Sequence, residues 1–221
     1  MYPCIPPPCL HNLRNPGDAF FFERWFRTAE NTLIAGVDEA GRGPLAGPVV
    51  AACVILPPDC DYHHFRDSKA LTARQREHLF TVLQNNGSVF GVGQAGVREI
   101  ESLNILQASL LAMRRAVASC IAVNHGKCPE YLLVDGRFSI PVSIPQLSLI
   151  QGESKSASIA AASIVAKVTR DRFMAEAHVR YPQYGFDRHR GYPTRTHREA
   201  IALYGPCPLH RRTFRGVVEF V

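Results

Sequence analysis

The stretch from Ile34 to Gly47, Ile-Ala-Gly-Val-Asp-Glu-Ala-Gly-Arg-Gly-Pro-Leu-Ala-Gly, constrains this chain more than any other segment. An apolar run delivers two adjacent carboxylates, Asp38 and Glu39, and then Gly41, Gly43 and Gly47. The run reads as a strand over Leu33–Asp38. Neighbouring strand residues point to opposite faces. Both acids can therefore serve one site only if the strand ends or bulges there, which the glycines permit. A second apolar strand, Tyr131–Val134, ends at Asp135. Carboxylates at neighbouring strand ends are how an α/β sheet collects a metal site, because their mutual repulsion calls for a divalent cation. The bland alternative is that each acid marks a solvent-facing turn.

The other segments fit one mixed α/β sheet flanked by helices. Val49–Leu56 reads as a strand buried on both faces and stopped by Pro57-Pro58. Strands are also expected over Ser88–Gln94 and Leu147–Ile150. Thr72-Ala-Arg-Gln75 is a capping box that opens a helix to about Asn85. Helical spacing marks Asn104 to about Val123, Ser156 to about His178 and Thr194–Leu203. Asp18 could cap a helix over Ala19–Ala29 that buries Phe20, Phe21, Trp25 and Phe26. Residues 1–17 hold five prolines and no periodicity and read as a loose tail. Residues 18–221 then form one domain. No apolar run approaches the ~20 residues that span a bilayer. Seven cysteines with no CxxC pair point to free thiols in a reducing cytoplasm, with Cys53 in the core.

The formal net charge is +6, and its location is informative. Arg180 to Arg215 contains eight arginines against two acids, Asp187 and Glu199, a balance equal to that of the whole chain. His189, His197, His210, Tyr181, Tyr184, Tyr192 and Phe214 interleave with them. A basic face with aromatics suits nucleic acid; a solvated helix face is the alternative. Gly91-Val-Gly93-Gln-Ala-Gly96 matches a dinucleotide-binding fingerprint literally, but no acid lies ~20 residues beyond it. Gly41–Gly47 is a near match that leads into a strand rather than a helix. Both read as turns.

Asp38-Glu39-Ala-Gly-Arg-Gly-Pro-Leu-Ala-Gly-Pro-Val-Val resembles the opening signature of bacterial ribonuclease HII, the type 2 ribonuclease H. Asp67-Ser-Lys69, Val134-Asp135-Gly136, the alanine-rich run 160–171, Tyr181-Pro-Gln-Tyr, His189-Arg-Gly-Tyr192 and Pro208-Leu-His-Arg-Arg continue the match in the family's order. The resemblance covers roughly residues 19 to 217. It implies a ribonuclease H-like fold with a small helical C-terminal extension. It also implies a monomeric cytoplasmic endonuclease of ribonucleotide excision repair. Such an enzyme cuts the RNA strand of RNA–DNA hybrids and incises duplex DNA at embedded ribonucleotides, leaving 5′-phosphate and 3′-hydroxyl ends.

The family holds two divalent ions, Mn2+ or Mg2+, on four acids. Asp38, Glu39 and Asp135 match three of them. The fourth is an aspartate in the family, and this chain has Glu153, one methylene longer. Asp171, flanked by arginines, is the rival acid and reads as a helical ion-pair partner, with Lys167 a candidate for the same structural role. The resemblance makes Gly41, Arg42, Gly43 and Tyr192 readers of the ribose. Lys69 and Lys155 are candidates for binding phosphate.

Overall fold

A computed structural model of the chain describes residues 21–26, 32–58, 60, 65 and 71–221. Five strands form one sheet: β1 (Ile34–Ala40), β2 (Val49–Ile55), β3 (Val89–Ala95), β4 (Tyr131–Asp135) and β5 (Gln146–Leu149). Their spatial order is β3-β2-β1-β4-β5. The β1–β2 and β2–β3 pairs are antiparallel, whereas β4 runs parallel to both β1 and β5. The mixed sheet expected from the sequence is present.

Helices cover both faces. The helix α4 (Ile105–Val123) buries Ala108, Ala112, Ala116 and Cys120 against Ala35, Val37, Ala51 and Cys53. It is long and apolar enough to cross a membrane by length and composition, yet this face packs on the sheet. On the other face, α5 (Ala157–Arg180) sets Ala160, Ala161 and Ile164 against Ala52 and Val54. All seven residues of β2 are buried between these layers.

Small residues set the spacing of the layers. A Cβ at Gly36 would lie 2.1 Å from the Ser158 carbonyl carbon, so β1 and α5 meet backbone to backbone. Gly91 and Gly93 do the same for α4: added Cβ atoms would lie 2.0 Å from Cys120 N and 2.3 Å from Ala112 O. These two glycines therefore sit inside β3, not in a turn as the sequence suggested. Their role is close helix–strand packing, which accounts for the spurious dinucleotide pattern.

The capping box holds. Gln75 N donates to Thr72 Oγ1 at 3.3 Å and Thr72 N to Gln75 Oε1 at 2.8 Å, opening α2 (Ala73–Asn85). The helix α3 (Val97–Leu103) has no counterpart in the sequence reading. It is separated from α4 by Asn104 at φ 72°, whose side chain accepts from Leu106 N and Gln107 N.

The first helix, α1 (Phe21–Phe26), differs from its expected packing. Phe22 and Glu23 are buried, while Trp25 is 47% exposed. Glu23 Oε1 accepts from Ser156 Oγ and from the Ser158 amide and hydroxyl, so hydrogen bonds to the start of α5 select the buried face. Phe20, Asp18 and the tail of residues 1–17 lie outside the described residues. Cys53, Cys60, Cys120, Cys128 and Cys207 are free thiols, and Cys53 is in the core as expected.

The C-terminal segment holds α6 (Phe186–His189) and α7 (Arg195–Tyr204). It packs through Tyr184, Phe186, Ala200 and Cys207 onto Met174, Ala177 and Ala46.

Candidate active site

The four acids arrive on different elements. Asp38 and Glu39 lie within β1, Asp135 ends β4, and Glu153 sits in a 3-10 turn, Gly152–Ser154, before α5. The anticipated bulge is absent. β1 stays in register with β2 through both acids, Asp38 opposite Ala52 and Glu39 opposite Ala51. Its pairing with β4 stops at Val37–Val134. Both acids thus extend past the end of the β4 ladder, beside Asp135.

Electrostatics tie the set together. Burial first, then the charges of Glu39, Asp135 and Glu153, hold Asp38 well above the usual carboxylate range. Glu39 is also raised by burial and by Asp135, with the Arg42 guanidinium pulling the other way. Protein donors orient the acids. Gly152 N donates to Asp135 Oδ1 at 2.7 Å, Glu39 N to Asp38 Oδ1 at 2.7 Å, Arg42 Nη1 to Glu39 Oε1 at 3.2 Å and Ser163 Oγ to Glu153 Oε2 at 3.3 Å. Among the described residues no three acid, histidine or cysteine side chains close on one point as a finished ligand shell. The donor set itself is all carboxylate oxygen, the chemistry of hard divalent ions rather than of soft ones. A cation would offset the repulsion that raises Asp38.

The loop after β1 runs beside Tyr192. A Cβ on Gly43 would stand 3.8 Å from Tyr192 Cε1, so this ring and the glycine are neighbours. Tyr192 is 42% exposed, with Lys167 Nζ 5.9 Å from its ring centroid. Lys167 also pairs with Asp171 at 2.7 Å, the helical ion pair the sequence suggested. Lys155 caps the 3-10 turn of Glu153 and is half-buried. Lys69 and Asp67 lie outside the described residues.

Two arginines organise this loop, Arg170 and Arg211, the second of them expected on the basic face and found in the core. Arg170 and Arg211 are completely buried, and carbonyl oxygens receive their guanidinium groups. Arg170 donates to Pro48 O, Ala46 O and Arg190 O, each at 3.0 Å. Arg211 donates to Gly41 O, Arg42 O and Gly47 O at 2.6–3.0 Å. Burial lowers them to about 10 and about 9, so both stay charged at neutral pH. A sequence signal for Arg170 exists: it falls in the helical row Ser163, Ala166, Arg170, Met174, Ala177, whose other members are small or apolar.

The basic segment is accordingly not one aromatic-studded face. Arg211, His197, His210, Tyr184 and Phe186 are core. Arg180, Arg188, Arg195, Arg198, Arg212 and Arg215 remain exposed. Arg195 is tied to Glu199 at 2.7 Å, one helical turn on.

A mixed sheet in this strand order, helices on both faces and acids at the adjoining ends of β1 and β4 define a ribonuclease H-like hydrolase. The model of the ribonuclease HII family matches residues 35–217. The ribonuclease HII of Desulfotalea psychrophila is 55% identical over 206 residues, 93% of this chain and 91% of its relative. The crystal structure of ribonuclease H2 from Pyrococcus horikoshii OT3 superposes with TM-score 0.67 at 28% identity, covering 86% of this chain and 97% of that one. Bst-RNase HIII, solved in complex with Mn2+, shares the fold with TM-score 0.68 at 16% identity over 87% of this chain and 70% of its own. This chain belongs to the ribonuclease HII family, whose members are endoribonucleases.

Proposed function

We propose that this protein hydrolyses the RNA strand of RNA–DNA hybrids and incises duplex DNA at embedded ribonucleotides, leaving 5′-phosphate and 3′-hydroxyl ends. The observation that carries the reading is the junction of two devices. Buried Asp38 feels the charges of Glu39, Asp135 and Glu153, and Glu39 is bonded through Arg42 to the loop whose Gly43 faces Tyr192.

Asp38, Glu39, Asp135 and Glu153 would hold Mg2+ or Mn2+. Such ions, when bound, activate a water for in-line attack and offset charge on the departing 3′ oxygen. The rest falls to the chain's own groups. The four carboxylates supply the negative charge, and the Gly152 amide and Ser163 hydroxyl orient Asp135 and Glu153. Glu153 joins the set from a short 3-10 turn, and its extra methylene would let the carboxylate reach the same ion from a slightly retracted backbone. Gly43 leaves open space beside Tyr192, into which a sugar edge can approach the backbone. The Tyr192 phenol hydrogen-bonds the 2′-hydroxyl, the group by which RNA differs from DNA. Gly41 serves by shape, since its carbonyl is already taken by Arg211. Lys155, Lys69 and the exposed arginines bind phosphates, which position a duplex without reporting on its sugar.

The protein works on this reading as a cytoplasmic monomer in ribonucleotide removal from DNA, with residues 18–221 as one catalytic domain. Matched duplexes with one ribonucleotide or none, incubated with Mn2+ or Mg2+, test it. Incision confined to the ribonucleotide is expected. Equal cutting of both duplexes would overturn the ribose reader, and no cutting of either duplex or of a hybrid would overturn the activity.

A further inference from the structure

The Tyr192 backbone is held by more than its own loop. The carbonyls of Arg190, Gly191 and Tyr192 each accept from a different element: Arg170 Nη1 at 3.0 Å, Leu45 N at 2.8 Å and His197 Nδ1 at 2.9 Å. The Tyr192 amide donates to His189 O at 2.9 Å. His197 is the donor whose chemistry is least expected. It is fully buried, and its Nε2 faces His210 Nε2 at 3.1 Å.

The hydrogen-bond directions fix one protonation pattern. The Cys207 amide donates to His210 Nδ1 at 2.9 Å, so that nitrogen carries no proton. His210 must then be protonated on Nε2 and donate to His197 Nε2. That leaves His197 protonated on Nδ1, where it donates to Tyr192 O. An extra proton on either ring would set two N–H groups against each other. Burial, opposed by the backbone hydrogen bonds, lowers both histidines to about 4, which keeps both rings neutral at neutral pH. Aromatic rings pack around the pair. His189 stacks on His197 at 4.3 Å, Phe186 meets it edge-on at 5.5 Å, and Tyr184 meets His210 edge-on at 4.7 Å.

We infer that the neutral His197–His210 pair is a positioning device that aims Tyr192 at the ribose, and so sets how fast the enzyme incises at a ribonucleotide. The inference rests on Tyr192 being the ribose reader. His197 is fully buried and acts through the Tyr192 carbonyl, which also accepts from Thr194 N at 2.8 Å. Misplacement of one positioning group at a tight site costs up to ~100-fold in rate.

The experiment compares His197→Phe with His197→Asn on a duplex carrying a single ribonucleotide. Phenylalanine fits the aromatic surroundings but donates nothing. Asparagine places an amide N–H near the position of Nδ1. Expected for His197→Phe is a kcat about ten- to a hundredfold lower with KM and duplex affinity within about twofold, and for His197→Asn substantial recovery. In a Tyr192→Ala background, His197→Phe should cost nothing further, because both changes remove one function. Unchanged kcat in His197→Phe, beside an impaired Tyr192→Ala, would overturn the inference alone. So would an equal loss from His197→Phe with and without Tyr192. Full activity of Tyr192→Ala would overturn the ribose reading and the inference with it. If His197→Phe does not fold by its circular dichroism melt, His197→Gln takes its place: its amide reaches the Nε2 side, facing the His210 N–H, and an activity equal to that of His197→Asn would overturn the inference.

Discussion

Gly41 and Gly136 offer a matched pair for measuring how rigidly the buried arginine holds the site loop. Both have φ +103°, a backbone region that disfavours side chains. An alanine Cβ at Gly136 would meet nothing within 4 Å. At Gly41 it would stand 2.2 Å from Arg170 Nε, 2.6 Å from Arg170 Cδ and 2.8 Å from Pro48 O. Arg170 cannot swing aside without giving up three carbonyl partners. Backbone strain costs each variant about 1–3 kcal/mol. Reduced freedom of the unfolded chain returns about 0.4–1 kcal/mol to each. Overpacking adds about 1–3 kcal/mol at Gly41 alone. The difference between the two variants is therefore about 1–3 kcal/mol, which for a chain of this size lowers Tm by roughly 2–12 °C more in Gly41→Ala than in Gly136→Ala. Gly43→Ala, with neither strained φ nor a neighbour closer than 3.8 Å, is the neutral control. Calorimetric melts of the three metal-free variants make the comparison. Equal melting of Gly41→Ala and Gly136→Ala would refute the rigid Arg170 clamp.

Asp135→Asn should keep the fold, since its amide oxygen can still accept from Gly152 N, and lose most turnover; undiminished cleavage at saturating Mn2+ would remove Asp135 from the ion-binding set. Asp38→Asn should stabilise the metal-free protein at pH 8 and not at pH 3. A carboxyl raised by folding favours the folded state below its unfolded value and loses that contribution as pH rises through the folded value; urea midpoints in chelator that match wild type at both pH values would contradict this. Replacing Arg188 and Arg198, both exposed, should reduce the slope of log affinity against log salt by roughly 0.9 for each phosphate that is no longer neutralised; an unchanged slope would place the duplex elsewhere.

Most of the sheet was legible because its strands are short apolar runs bounded by proline, glycine or an acid. Asp38, Glu39 and Asp135 stood out because a carboxylate at the end of a buried strand contradicts its surroundings. The helix α3 was not legible: seven residues carry too little periodicity, and its start is a glycine without a capping side chain. The glycines of β3 misled because the same residue serves a turn, a phosphate loop and close helix contact, and only the partner helix distinguishes them. The basic C-terminal segment misled for a related reason. An arginine donating to three carbonyls in the core and one facing solvent are the same letter. What separates Arg211 from Arg212 is the carbonyls of a loop far away in the chain.

That distance has a consequence for the order in which the molecule comes into being. Arg211 and Gly41 are 170 residues apart, and Arg170 and Pro48 are 122 apart. Contacts closing such long segments form late, after local helices and hairpins. A chain emerging from the ribosome carries all four acids once residue 153 is made. Tyr192, its histidine brace and Arg211 follow only with the final stretch. The carboxylates can gather while the loop beside Tyr192 is still unrestrained, so on the proposed reading the means to select ribose is completed after the acidic cluster, when the C-terminal segment docks.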